Sequence, residues 1–251
     1  MDIRNRRFPS VTNLKGRMVR TAGRIRLRRD LHAVNMVVPE ARPDEGSPVL
    51  YASNHTTWWD GFLLQRLHDM WRTGPLLTVV EEDHLFRYPA LAAAGCVGVD
   101  RNSLGSLRTL LRTVAHRSRV TGMGVSLFPQ GQIHSSRRRP LGFERGMDSL
   151  AQAMGRPIIV PVAIHAELFN RRRPTVFVVA GEPYVWQSSK GVHEADDRVA
   201  EILDVIQQDV DATGEFTPRG WEARMKSAVY GPAHAVGPRP AVDIPEQGAS
   251  A

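Results

Sequence analysis

Apolar residues recur along residues 10–29 at steps of three and four, as Val11, Leu14, Met18, Ala22 and Ile25, with Arg17, Arg20, Arg24 and Arg28 on other faces. That period predicts an amphipathic helix. From Leu31 the pattern becomes strand-like: "LHAVNMVV" is β-branched and apolar, and a Pro/Gly/Asp loop at 39–48 ends it. Further apolar runs, "PVLYAS" (48–53), "LLTVV" (76–80), "GCVGVD" (95–100), "GVSLFP" (124–129), "PIIVPVAI" (157–164) and "TVFVVA" (175–180), predict short buried strands. Helices are expected at 57–70, 103–117, 145–155 and 193–212. In the second the apolar face is Leu104, Leu107, Leu110, Leu111 and Val114, and in the last it is Val199, Ile202, Leu203, Ile206 and Val210. Strands that are apolar throughout and alternate with helices predict an α/β fold whose mixed sheet is largely buried and flanked by helices. The divisions expected are a basic N-terminal segment (1–30), one main domain (31–230) and a Pro/Gly/Ala-rich disordered tail (231–251).

Charge changes the picture at one end only. The net charge of +7 is concentrated in residues 1–30, which carry ten Lys/Arg against Asp2 and Asp30. The other 221 residues hold 23 basic and 24 acidic side chains. A basic amphipathic helix can lie on an anionic bilayer, with arginines at the headgroups. It can equally pack on the domain with a solvated basic face. A nucleic-acid arm is disfavoured, because no interleaved aromatics or DNA-binding motif accompany it. No apolar run reaches the ~18 residues of a transmembrane helix, and the basic N-terminus is not followed by a signal-type apolar core. The single cysteine, Cys96, excludes an intramolecular disulfide framework and reads as a small core residue. A cytoplasmic chain held peripherally on the inner membrane face fits these features.

Common catalytic signatures are missing. There is no G-x-S-x-G, Walker A or H-E-x-x-H sequence, and "GMGVSL" (122–127) lacks the third glycine of a dinucleotide fingerprint. "EEDH" (81–84) reads as a solvated loop, and no metal site is expected. What remains is "SNHTTWWDG" (53–61), with His55 and Asp60 five positions apart. In an unbroken helix, five residues rotate by about 500°, leaving the two side chains roughly 140° apart. They meet only if His55 lies on the strand-to-helix turn and Asp60 in the first helical turn. Thr57 and Asp60 also have capping-box spacing, which would account for Asp60 without catalysis. Alternatively, Asp60 fixes the imidazole tautomer and the other ring nitrogen takes a proton from a hydroxyl.

Four blocks in order resemble the glycerolipid acyltransferase family of the lysophosphatidic acid (PlsC-like) type: "SNHTTWWDG" with its H-x4-D, "GCVGVDR" (95–101), "FPQGQI" (128–133) and "IIVPVAI" (158–164). The resemblance spans roughly residues 31–185. It implies transfer of a fatty acyl group from acyl-CoA or acyl-carrier protein, as co-substrate and with no resident cofactor, to a lipid hydroxyl such as that of 1-acylglycerol-3-phosphate. His55 is then the general base and Asp60 its orienting partner. Asn54, Gly95, Arg101, Phe128, Pro129, Gln130, Gly131 and Pro161 would line the substrate side, with arginines meeting a phosphate.

Two departures stand out. The family's third block is Phe-Pro-Glu-Gly-Thr-Arg, whereas here Gln130 replaces the glutamate and Ile133 the arginine. Arg137, Arg138 and Arg139 follow closely and are candidates to supply the lost cation. The departures leave a non-phosphate acceptor open, such as a glycosylated isoprenoid or a glycolipid. They also leave open a non-catalytic lipid- or thioester-binding relic of the fold. A condensation-type acyltransferase is disfavoured, since those space His and Asp by three residues and are larger.

Overall fold

The computed structural model describes residues 14–120, 122–213 and 225–230. The expected tail at 231–251 and the first thirteen residues, including Val11 of the apolar stripe, lie outside the described residues. In chain order the elements are α1 (Leu14–Asp30), β1 (Ala33–Pro39), β2 (Val49–Ser53), α2 (Asp60–Trp71), β3 (Leu76–Glu81), α3 (Glu82–Arg87), α4 (Ala90–Ala93), β4 (Cys96–Val99) and α5 (Leu104–Arg117). Then follow β5 (Gly124–Leu127), α6 (Gly146–Ala153), β6 (Ile158–Glu167), β7 (Thr175–Ala180), β8 (Tyr184–Val185), α7 (Gly191–Thr213) and β9 (Met225–Tyr230).

Among the described residues the nine strands form one mixed sheet in the order β4-β3-β5-β2-β6-β7-β1-β9, with β8 pairing β6. β4, β3, β5, β2 and β6 run parallel, so their C-terminal ends share one edge. β7 and β9 bring antiparallel pairings. Alternate residues of each strand face opposite layers. Leu50 and Ala52 join the core under α5, α6 and α7, while Val49 and Tyr51 join the core under α1 and α2. Covering both faces is why the strands read as unbroken apolar runs. The short α3 and α4, β8 and β9 have no counterpart in the pattern of the sequence. "EEDH" is not a loop: Glu81 ends β3 and the next residues are helical.

The N-terminal helix lies the other way round from a packed amphipathic helix. Its buried residues are Gly16, Gly23 and Leu27, whereas Leu14, Met18 and Ile25 are 62–72% exposed. Gly23 makes this possible: a Cβ there would sit 2.5 Å from the Phe62 ring of α2. Small residues set the close approach, and Arg24 closes it with an ion pair to Asp69 at 2.9 Å.

β2, which carries the H-x4-D segment, is anchored by a buried relay. The carbonyl of Gly74 can only accept, so His68 Nε2–H donates to it at 2.9 Å and Nδ1 accepts from the Tyr51 hydroxyl at 3.0 Å. Burial lowers the His68 pKa below its ordinary 6.5 and raises that of Tyr51. Burial likewise lowers His165 on β6. Native imidazoles that refuse a proton contribute stability that is complete above about pH 6.5 and lost as the pH falls below it, where the unfolded chain takes up protons. The thermal midpoint is therefore expected to stay level from pH 8 to 7 and to fall between pH 6.5 and 5.5. A midpoint that rises on acidification would contradict the buried neutral relay.

Candidate active site

β2 ends at Ser53, and α2 begins at Asp60. The turn between them is organised by one carboxylate. Asp60 is wholly buried, and it accepts from His55 Nδ1 at 2.7 Å, the Thr56 N–H at 2.7 Å, the Thr57 N–H at 2.9 Å and the Thr57 hydroxyl. The Thr57 N–H bond to Asp60 is the one a capping box would make, but the N-cap of α2 is Trp59 and has no side-chain bond, so the carboxylate braces the turn before the helix and holds the imidazole. A carboxylate that already accepts two backbone N–H groups requires Nδ1 of His55 to carry the hydrogen. Nε2 is thereby left as an acceptor. The His55 side chain is 23% exposed and stacks on Phe128, with ring centroids 4.4 Å apart.

The third block clamps the backbone of His55 from both sides. Gln130 Oε1 accepts the His55 N–H at 2.7 Å, and the His134 N–H donates to the His55 carbonyl at 2.8 Å. Gln130 Nε2 donates to the Leu141 carbonyl at 2.9 Å, so both ends of its amide are used. Gln130 thus supports both His55 and the 131–143 loop. Asn54, expected on the substrate side, is bonded to β6. Its amide donates to the Ile164 carbonyl at 2.9 Å and accepts the Ile164 N–H at 2.8 Å, extending the β2–β6 pairing by one step.

Gly95, Pro161 and Pro129 have backbone roles, and of the three Pro129 is next to the residues that touch His55. Gly95 (φ +105°) makes the turn into β4, and its carbonyl accepts the Thr78 N–H. It borders a small cleft with Pro75, Leu76, Cys96 and Met123, at the strand starts. Burial pushes the Cys96 thiol up to about 12, which removes it as a thiolate nucleophile at neutral pH. Pro161 is buried inside β6, where its carbonyl accepts the Gly181 N–H at 2.8 Å beside the change of partner from β8 to β7. Pro129 is buried, and its carbonyl accepts the Glu144 N–H at 2.9 Å.

Arg101 follows β4 and lies at the same sheet edge as His55. Its guanidinium donates to Glu81 at 3.0 Å and Glu144 at 3.2 Å, and it lies so close to Gly131 (φ +66°) that a Cβ there would be 2.2 Å from Nη1. Glu81 enters the sequence reading only as part of "EEDH", expected as a solvated loop, and Glu144 is not singled out. Glu81 had one usable signal, its place at the C-terminal end of a strand, where α/β sheets carry their sites. Glu144 had none. Of the three loop arginines, Arg137 pairs with Asp211 at 3.7 Å and Arg139 donates to Asp204 at 2.9 Å, both on α7. Arg138 donates to His134 Nε2 at 2.7 Å. Among the described residues no group of three or more His, Cys, Asp or Glu side chains is placed to hold a metal ion.

With this geometry in hand, comparisons with known proteins are informative. Residues 16–165 match the family model described as Acyltransferase, a span that includes all four blocks. A search of curated proteins finds no match. Among solved structures, the fold resembles the 1-acyl-sn-glycerophosphate (LPA) acyltransferase PlsC from Thermotoga maritima. The TM-score is 0.55 and the identity 17%, covering 76% of this chain and 79% of that one. That likeness extends to the covered mixed sheet, and the family model matches well over half of the chain. The protein therefore belongs to the acyltransferase family, on a PlsC-like α/β fold.

Proposed function

We propose that this acyltransferase moves a fatty acyl group from an acyl thioester to a lipid hydroxyl, with His55 as general base. The observation that carries the reading is the His55–Asp60 contact. With Nδ1–H held by a buried carboxylate, Nε2 is the ring nitrogen able to accept the hydroxyl proton, and Asp60 stabilises the imidazolium that forms. The alkoxide attacks the thioester carbonyl, the C–O bond forms and the C–S bond breaks. The proton held on His55 then passes to the departing thiolate, so no covalent acyl-enzyme and no resident metal or cofactor enters the sequence of steps. The donor is acyl-CoA or acyl-carrier protein. A lysophospholipid of the kind named for the Thermotoga maritima enzyme is the acceptor that the resemblance implies, and it is the first to assay. His55→Ala is expected to lower acceptor-dependent thiol release by about 10²–10⁴-fold while the circular dichroism spectrum stays unchanged. A folded His55→Ala protein with full activity would refute the mechanism.

The same reading places the enzyme on a membrane surface. No described helix is long and apolar enough to cross a membrane. The outward Leu14, Met18 and Ile25 of α1, flanked by Lys15, Arg17, Arg28 and Arg29, suit an anionic interface on the inner face. Arg26 lies 6.0 Å from the rings of both Trp58 and Trp59, so this helix borders the His55 turn and would bring it to headgroup level. Replacing Leu14, Met18 and Ile25 together by Glu is expected to cut co-sedimentation with anionic liposomes by about tenfold or more. The thermal midpoint should stay within a few degrees, because these side chains are mostly exposed. Equal binding by the triple variant would show that the stripe is not the contact.

A further inference from the structure

The feature of the catalytic edge that the acyl-transfer reading leaves unused is the Glu81–Arg101–Glu144 cluster. β4, β3, β5 and β2 are consecutive parallel neighbours. Glu81 ends β3, Arg101 follows β4, Gly131 follows β5 and His55 follows β2, so these residues form one row along the edge. The Arg101 guanidinium rests against Gly131, next to Gln130, and Gln130 holds the His55 N–H. The cluster is half-exposed, with side-chain exposures of 38% for Arg101, 45% for Glu81 and 56% for Glu144.

We infer that Glu81, Arg101 and Glu144 select the acceptor headgroup, and that they select an uncharged, polyhydroxylated headgroup against a phosphorylated one. This rests on the acyl-transfer reading. Arg101 by itself would attract a phosphate, but two carboxylates hold it and the cluster carries a net charge of −1. A phosphate offers only acceptors and brings more negative charge, so the two carboxylates repel it. A diol offers both donors and acceptors. Its O–H groups can donate to the glutamate oxygens while its oxygen atoms accept from the guanidinium. Both ion pairs use Oε1, which leaves each Oε2 to receive a hydroxyl.

The other cations do not restore a phosphate site. Ile133 stands where the family carries arginine, and Arg137 and Arg139 are taken by Asp211 and Asp204 of α7. Arg138 is held by His134 on the side of Gly142, whose N–H groups with Leu141 and Phe143 under Asp196. The selection is therefore one of exclusion as much as of attraction, the usual way a site discriminates between similar ligands.

The test compares wild type, Glu81→Gln/Glu144→Gln and Arg138→Ala on three acceptors: monoacylglycerol, an alkyl glucoside and lysophosphatidate, each with acyl-CoA. Wild type is expected to favour the two neutral acceptors in kcat/KM. The double variant, which keeps the shape but removes both negative charges, should raise the lysophosphatidate-to-neutral ratio by about tenfold or more. Arg138→Ala should leave that ratio unchanged. A purely structural ion cluster would instead alter stability and leave the ratio where it was, which would overturn the inference. A wild-type preference for lysophosphatidate, abolished by Arg138→Ala, would overturn it as well. Binding of decyl glucoside and decyl phosphate to the His55→Ala protein, read by tryptophan fluorescence, separates the two readings. If glucoside binds in preference and the double variant reverses the order, headgroup selection stands even where turnover fails. If phosphate binds in preference to wild-type residues at the cluster, it falls.

Discussion

The Asp60 carboxylate is the contact on which the site depends. A carboxylate with no solvent exposure is tolerated only when its oxygens are fully occupied, and here two threonine N–H groups, a hydroxyl and an imidazole occupy them. Meeting that demand wraps residues 55–57 around the start of α2. The His55 ring is consequently fixed in tautomer and direction by the carboxylate that braces the turn leading into the helix. Of the two explanations of a His-x4-Asp spacing, the capping box is not formed, since α2 is capped at Trp59 without a side-chain bond.

The remaining support comes from the sheet edge. His55 is held by its own backbone N–H and carbonyl, both bonded to the loop that follows β5. This gives the replacement of glutamate by Gln130 a physical meaning. An amide accepts from His55 and donates to the Leu141 carbonyl, and an ionised carboxylate can do only the first. The altered third block holds the His55 backbone and has a second anchor on the 131–143 loop. The arginine lost at Ile133 is a different kind of change, since an isoleucine side chain can neither donate nor accept a hydrogen bond.

α1 shows how a periodic pattern can be read correctly as a helix and still leave its orientation open. Leu14, Met18 and Ile25 form one apolar line, and Gly16, Gly23 and Leu27 form another. Packing on α2 selects the glycine line, because the Phe62 ring occupies the space a side chain at Gly23 would need. The more apolar face is left pointing outward, beside a concentrated positive charge.

Much of the fold was legible in the residues. Strands buried on both faces are long apolar runs, so β2 through β7 stand out, and the 3.6-residue period marks α1, α2, α5, α6 and α7. β8, β9, α3 and α4 were not legible, because two-to-six-residue pieces take their pairing from neighbours and not from their own pattern. In the site, helix rotation alone required His55 to precede α2 and Asp60 to open it. The partners came only with the tertiary structure. Asn54 reaches Ile164 over 110 positions, Gln130 reaches His55 over 75, and Arg101 meets Glu81 and Glu144 from 20 and 43 positions away. The sequence by itself determined which residues can do chemistry and which local geometry lets two of them meet. Only the tertiary structure decided which side chains support the base and which stand beside it, because strand order brings together residues that no local period relates.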